Sequence, residues 1–353
     1  MSEKSRRDWR KVVAAVAIGL PWGLGHAADG FHVRYSLYGG AGAGIFSQPG
    51  KPGWTGGVSY SYSDITALSG PDGGIMTTST AADAVAPGIT YPANPVKVHA
   101  TGFSSVATLG VSYGLESPVG GGRLVLGLST GYGRKSQQIR ASANTPVLSP
   151  LQGALVTAGF NAQYQAGIAA LAAAETAAEE GPTDSDINLN WHHPMGEGRL
   201  TYGLSLIVPT GKYSTSAGPH VGFGSYYTLR PSVQAVVFSS PSWGHAAKLT
   251  LGLSTVNRDT HVRSGHWAAV EMASSYMTRL GPVGLQLLRV QQFRDDSGGS
   301  WGANRLVMTN AGVFWATKLP VLDAGLSLNG MTTLNSRNAK AGRYYQLRLS
   351  KSF

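Results

Sequence analysis

The chain has 353 residues, 42% of them hydrophobic and only 13% charged, and it contains no cysteine. That length holds one large domain, and the missing thiols suit an oxidising envelope and a fold that needs no disulfide. The net charge is +10, but beyond the first eleven residues Lys and Arg are scattered without a basic cluster, which argues against a nucleic-acid partner.

At the N-terminus, Lys4, Arg6, Arg7, Arg10 and Lys11 precede the apolar run 12–20, and the small residues Gly25, Ala27 and Ala28 follow. This order predicts a secretory signal peptide over 1–28, too short to span a membrane. Its removal takes away five basic and two acidic residues and leaves a charge of +7. Residues 29–53 are too few for a plug domain, yet they are able to tuck into a lumen. The remainder, 54–353, is expected to be the membrane domain.

After Leu20 no stretch reaches the ~18 consecutive apolar residues of a spanning helix. A chain bound for a membrane must then cross it as a closed barrel, the other structure that satisfies every backbone polar group. The 48 Gly, 15 Tyr and 8 Trp, with a mean hydropathy of −0.05, fit a wall with one lipid face and one wet face.

Twelve alternating segments follow, over 54–66, 98–115, 122–138, 183–193, 199–209, 223–239, 245–257, 265–280, 283–294, 304–318, 322–335 and 341–353. Each reaches the about 9–11 residues that a tilted strand needs to cross a bilayer. Short turns follow the even-numbered segments: 117–121, 194–198, 240–244, Gly281-Pro282 and 319–321. Mostly longer loops follow the odd ones, chiefly 67–97 and 139–182. The fold class is therefore all-β, an antiparallel transmembrane barrel of about twelve strands. An even strand count places both ends on the short-turn, periplasmic side.

Alternation also assigns faces. Leu200, Tyr202, Leu204, Leu206 and Val208 oppose Thr201, Gly203 and Ser205, and Leu249, Leu251 and Leu253 oppose Lys248, Thr250 and Ser254. Ile187, Leu189 and Trp191 oppose Asp186, Asn188 and Asn190, and Leu326 and Leu328 oppose Asp323, Ser327 and Asn329. An Arg or Lys on lipid at the midplane costs about 2–4 kcal/mol, so the polar faces belong in the lumen. Arg230, Gln234, Lys248, Glu271, Gln346 and Arg348 are the candidate pore-lining residues. The ninth segment, Leu285-Gln286-Leu287-Leu288-Arg289, breaks the alternation and suggests a bulge. The small lumenal residues Gly203, Gly252 and Gly325 suggest open space.

Residues 151–180 are Ala-rich and predict one or two short helices in an extracellular loop, capping the pore, constricting it or decorating its rim. The last strand reads Tyr345-x-Leu347-x-Leu349-x-Lys351-x-Phe353. It resembles the C-terminal signal by which the barrel-assembly machinery recognises outer-membrane proteins. It is expected to close against 54–66, with Gln346, Arg348 and Ser350 inward and Tyr345, Leu347, Leu349 and Phe353 on lipid.

Four stretches carry a family likeness: Gly44-Ile45-Phe46-Ser47-Gln48-Pro49-Gly50, Val208-Pro209-Thr210-Gly211-Lys212-Tyr213, Asn257 to Gly265 around Asp259-Thr260 and Arg263, and Gln292 to Gly299 around Asp295-Asp296-Ser297. Together they resemble the meta-pathway of phenol degradation family, with Gln48 where a second Pro is usual and Val262 in place of an aromatic. The resemblance implies an outer-membrane channel for aromatic or other hydrophobic compounds. Asp259, Arg263, Asp295 and Asp296 lie on the extracellular rim, where a hydrogen-bonded network that fixes the loops is favoured over a divalent-cation site.

The leading function is passive uptake of small hydrophobic or aromatic compounds across the bacterial outer membrane, with lipid and lipopolysaccharide as surroundings and no cofactor. The alternatives are an outer-membrane hydrolase and a non-conducting structural barrel. His192, His193 and His261 are the available bases, but no nucleophile and acid can be attached to them. The adjacent pair His192-His193 points to opposite faces and cannot chelate. Neither catalytic nor metal-binding residues are expected.

Overall fold

The computed structural model describes residues 33–47, 51–215, 218–299 and 304–353, so the expected signal peptide lies outside the described residues. Among the described residues sixteen strands and one helix are formed, in the order β1 (Gly53–Ser69), β2 (Met76–Thr80), β3 (Asp83–Ala86), β4 (Ile89–Tyr91), β5 (Asn94–Gly114), β6 (Arg123–Ser142), α1 (Ala154–Ala174), β7 (Ala177–Pro182) and β8 (Ser185–Met195). There follow β9 (Gly198–Val208), β10 (Thr228–Ser240), β11 (Trp243–Ser254), β12 (Trp267–Thr278), β13 (Gly281–Gln292), β14 (Val307–Leu319), β15 (Ala324–Arg337) and β16 (Ala339–Ser352). Twelve of the strands close an antiparallel barrel, β1 pairing with β5 on one side and β16 on the other. The twelve alternating segments of the sequence are these strands. The short β2, β3, β4 and β7 lie in the long loops, where no alternation announces them.

The closing seam sets Val58 opposite Leu349, Tyr60 opposite Leu347 and Tyr62 opposite Tyr345. The barrel strands keep the period of two that puts one face on lipid, apart from local register shifts at Thr66, Ser239 and Leu334. The outer face is apolar and exposed: Val58, Tyr60, Leu109, Leu126, Leu204, Leu249, Leu285, Val313, Leu328 and Leu347 all lie on it. At the short-turn end it carries aromatic pairs, Trp54–Tyr113 at 5.0 Å, Trp191–Tyr202 at 5.7 Å and Trp243–Tyr276 at 5.1 Å between ring centres. Such a girdle marks a membrane–water boundary. Among the described residues no helix is long and apolar enough to cross a membrane.

The turns at this end are short. That between β12 and β13 holds Gly281 at φ 103°, where an added Cβ would strike the Ala316 carbonyl. At the other end the connections are long except between β15 and β16, which turn on Asn338 alone at φ 47°. Asn tolerates this left-handed region better than most residues.

The ninth segment needs correction. As β13 it pairs with β12 and β14 without a register shift, so no bulge is present. Leu285 and Leu287 face lipid while Leu288 and Val290 face inward and are fully buried. Alternation fades because apolar side chains pack inside the barrel there.

The Ala-rich loop forms one helix, α1, whose Phe160, Tyr164, Ile168 and Ala172 recur every four residues and are buried. Phe160, Tyr164 and Ile168 cover Val85, Tyr91, Val96 and Leu148. Val96 and its neighbour Ala141 continue the inward-facing rows of β5 and β6, so α1 rests on the lumenal side of this extension rather than on its outer face.

Candidate functional site

Residues 33–47 run along the inner wall, and their sequence explains how they fit. Gly39 (φ 71°) and Gly42 bring the backbone against Gln286 and Phe314, with no room for a Cβ at either position. The backbone is then held by inward-facing side chains. Gly40 N and Ala41 N donate to Glu271 Oε2 at 2.7 and 2.9 Å, and the Tyr35 hydroxyl donates to Glu271 Oε1. Gln286 Nε2 donates to Tyr38 O at 3.2 Å, and Arg199 Nη1 donates to Ile45 O and Ser47 O at 3.1 and 3.0 Å.

Side chains complete the docking. Ile45 is fully buried with Val236, Ala246, Ala273 and Phe314 near the short-turn end, and Phe46 lies 5.3 Å from Phe238. Toward the opposite end Val33 joins Trp267, Leu288, Val290 and Leu306, with Tyr35 edge-on to Trp267 at 5.3 Å. Arg34 pairs with Asp184 at 2.9 Å and sits 3.8 Å from the centre of the Tyr226 ring.

The segment leaves a cavity of about 480 Å³ between itself and the wall of β1, β5, β6 and β16. That volume falls within the about 300–1,000 Å³ usual for small-molecule sites. Hydroxyls of Ser59, Ser61 and Ser104 line one part, and Ile65, Met308 and Tyr344 another. Lys135 and Lys340 border it as well.

All six candidate pore residues occupy inward positions, but they are not one site. Arg230 and Gln346 border the cavity, Arg230 bonded to Asp186 and Gln346 donating to Ser61 Oγ at 3.0 Å. Glu271 is 4% exposed and covered by the docked segment, so it faces no open lumen. Gln234 lies opposite Lys248 and Lys248 opposite Glu271 in the ladder, all outside the cavity lining. Arg348 remains exposed.

The expected open space beside the lumenal glycines is absent. A Cβ on Gly252 would strike the buried Trp267 indole, one on Gly203 would strike Ser232 and Asn190, and Gly325 faces Ser350. Gly203 and Gly252 thus make room for packed neighbours, whereas Gly325 is in ordinary contact with Ser350. Arg34, Lys135, Asp184, Arg199 and Lys340 are the contributors missed from sequence. Parity alone would have placed Lys135 and Lys340 inside.

At the rim the four charged residues do not pair with one another. Asp259 accepts from Ser225, and Arg263 Nε donates to Ser254 O at 3.0 Å. Asp295 pairs with Arg305 at 3.2 Å. The two loops are joined by reciprocal Arg263–Ser297 backbone bonds and by Gly265 N donating to Asp296 Oδ1 at 2.7 Å. A backbone N–H reaches a buried carboxylate at lower entropic cost than a flexible Arg does. Among the described residues no group of three His, Cys, Asp or Glu side chains is placed to hold a metal ion.

Residues 119–349 match the family described as "Putative MetA-pathway of phenol degradation". The chain belongs to this family. Among solved structures it is similar to the COG4313 outer membrane channel from Pseudomonas putida F1, with a TM-score of 0.61 at 14% identity, covering 91% of this chain and 100% of that one. The beta domain of the Bordetella autotransporter BrkA (TM-score 0.46, 12% identity, 85% and 99% covered) and the Ralstonia pickettii toluene transporter TbuX (0.35, 10%, 89% and 96%) are more distant. No curated protein matches by sequence. For this family member the likeness to the P. putida channel establishes the barrel fold.

Proposed function

We propose that the protein is an outer-membrane channel for passive uptake of small hydrophobic or aromatic compounds. The observation that carries the reading is the 480 Å³ cavity, lined mostly by apolar surface with hydroxyl and charged groups among it, inside a closed barrel whose outer face is a lipid belt. The family's description and the fold shared with the P. putida outer membrane channel support it. On this reading residues 1–28 direct export and are removed, 29–53 narrow the lumen, and 54–353 form the barrel. Arg230, Gln234, Lys248, Glu271, Gln346 and Arg348 set the polarity of the interior. Phe353 presents the last strand to the barrel-assembly machinery, and lipid and lipopolysaccharide surround the wall. Asp259, Arg263, Asp295 and Asp296 serve to fix the extracellular loops.

A hydrolase finds little support. Ser239 Oγ and His245 Nε2 are 3.0 Å apart, but the pair is exposed on the same outward row as Val237 and Leu249. A non-conducting barrel is the sharper rival, because the docked segment fills much of the interior. Planar-bilayer recording decides: discrete conductance steps from purified protein are expected, and their absence both in the full chain and after deletion of 33–47 would overturn the channel reading.

A further inference from the structure

The charges around the cavity are unevenly matched. Arg34 is paired with Asp184, and Arg230 with Asp186. Glu179, beyond the lining, is engaged by Lys212 at 3.6 Å and His220 at 3.3 Å. Lys135 and Lys340 both border the cavity, and among the described residues neither has a carboxylate within 4.0 Å. Glu175, the remaining acid on the lining, is 7% exposed and pairs with neither lysine.

What the two ammoniums do have is partial. Lys135 Nζ donates to Val221 O at 3.0 Å and lies 4.5 Å from the centre of the Phe223 ring. Lys340 Nζ reaches from β16 to Gln137 Oε1 on β6, also at 3.0 Å. An ammonium carries three donors, so each keeps donors unspent. Two like charges held beside partly apolar surface are costly unless an anion offsets them. A carboxylate is the small organic group that accepts several such bonds at once, and charge-assisted bonds are about twice as strong as neutral ones. The apolar lining by Tyr344, Met308 and Ile65 accepts the rest of such a molecule.

Building on the channel reading, we infer that this cavity takes the anionic form of a small amphipathic acid, an aromatic or short aliphatic monocarboxylate, through Lys135 and Lys340. The neutral hydrocarbon of the same shape is then a poorer ligand, because it leaves both ammoniums unmatched.

The test compares benzoate with its neutral isostere benzamide by calorimetry on the purified full chain in detergent. Benzoate is expected to bind at least about tenfold more tightly, the factor that one charged hydrogen bond supplies. In the double variant Lys135→Gln, Lys340→Gln that preference should shrink to within about twofold, whereas Lys135→Arg, Lys340→Arg should keep it. Heat-modifiable migration on a gel confirms that each variant is folded. Equal binding of benzoate and benzamide to the wild type, no binding of either, or a preference that survives the double Gln variant would each overturn the inference. Conductance of the same preparation is read separately. A conducting protein without benzoate preference sinks this inference alone, whereas a silent protein with the preference sinks the channel reading and leaves the site.

Discussion

Arg34, on the docked segment, and Asp184, in the two-residue break between β7 and β8, form an ion pair of 2.9 Å with side chains only 2% and 7% exposed. Asp184 also accepts Gly211 N at 3.0 Å and Phe223 N at 3.2 Å, so one carboxylate ties the segment to two extracellular stretches. Breaking such a buried pair from one side strands a charge and costs about 3–5 kcal/mol. The variant Asp184→Ala should therefore release the segment locally and expose the bond after Arg34 to trypsin. Limited trypsinolysis with mass spectrometry reads this directly. Cleavage no faster than in the wild type would show that Arg34 is held without Asp184.

The second anchor, Glu271, accepts two backbone N–H groups through one oxygen. Glu271→Ala leaves Gly40 N and Ala41 N without that acceptor, at about 1–3 kcal/mol each. Glu271→Gln keeps a carbonyl oxygen for both. The expected outcome is a larger or noisier single-channel conductance in the Ala variant and near wild-type behaviour in the Gln variant. Identical traces for all three would remove Glu271 as an anchor.

These two anchors show where the sequence stopped being readable. The barrel strands were legible because lipid imposes a period of two on every one of them, as in Leu249, Leu251 and Leu253. The inward position of Glu271 follows from the same parity. Its partners do not: Gly40 and Ala41 lie 231 and 230 residues away and offer only backbone. The inner row of β13 was misread for the related reason that Leu288 and Val290 meet a docked segment rather than water. On the rim, the residue types of the network were visible, but carboxylates choosing backbone N–H partners leave no pattern of paired charges.

The helix over the β5–β6 extension depends on few side chains. Phe160 is 3% exposed and packs 5.2 Å from Tyr91 and 5.7 Å from Tyr164. Phe160→Ala should cost about 3–5 kcal/mol of local packing. The helix should then become accessible to chymotrypsin at Tyr164, with the heat-modifiable barrel intact. Loss of the barrel itself would mean that α1 is part of its folding core.

Asp296 gives the rim a pH response. Burial outweighs the bonds from Gly265, Asn304 and Gln292 and holds its carboxyl above the ordinary value of 3.8. The native loop therefore favours the protonated form. Its stability gain is fully present below the ordinary value and is lost as pH rises through the raised one. Asp296→Asn removes this titration. At neutral pH it also sets an amide against Asn304 Nδ2, which now donates to Asp296 Oδ2 at 2.7 Å, a loss of about 1–3 kcal/mol. The gap in melting temperature between wild type and Asp296→Asn should widen from pH 7 to pH 4. A gap independent of pH would place the carboxyl in water.

The segment that occupies the lumen is covalently continuous with β1 through a few residues at the short-turn end. Its docking is consequently a unimolecular equilibrium, governed by an effective local concentration of roughly millimolar for a short tether. Occupancy does not fall on dilution, and a free peptide of the same sequence at micromolar level cannot compete for the wall. Contacts that would be too weak to hold a separate inhibitor suffice to keep this one in place, and weakening any one of them shifts a population rather than ejecting a ligand.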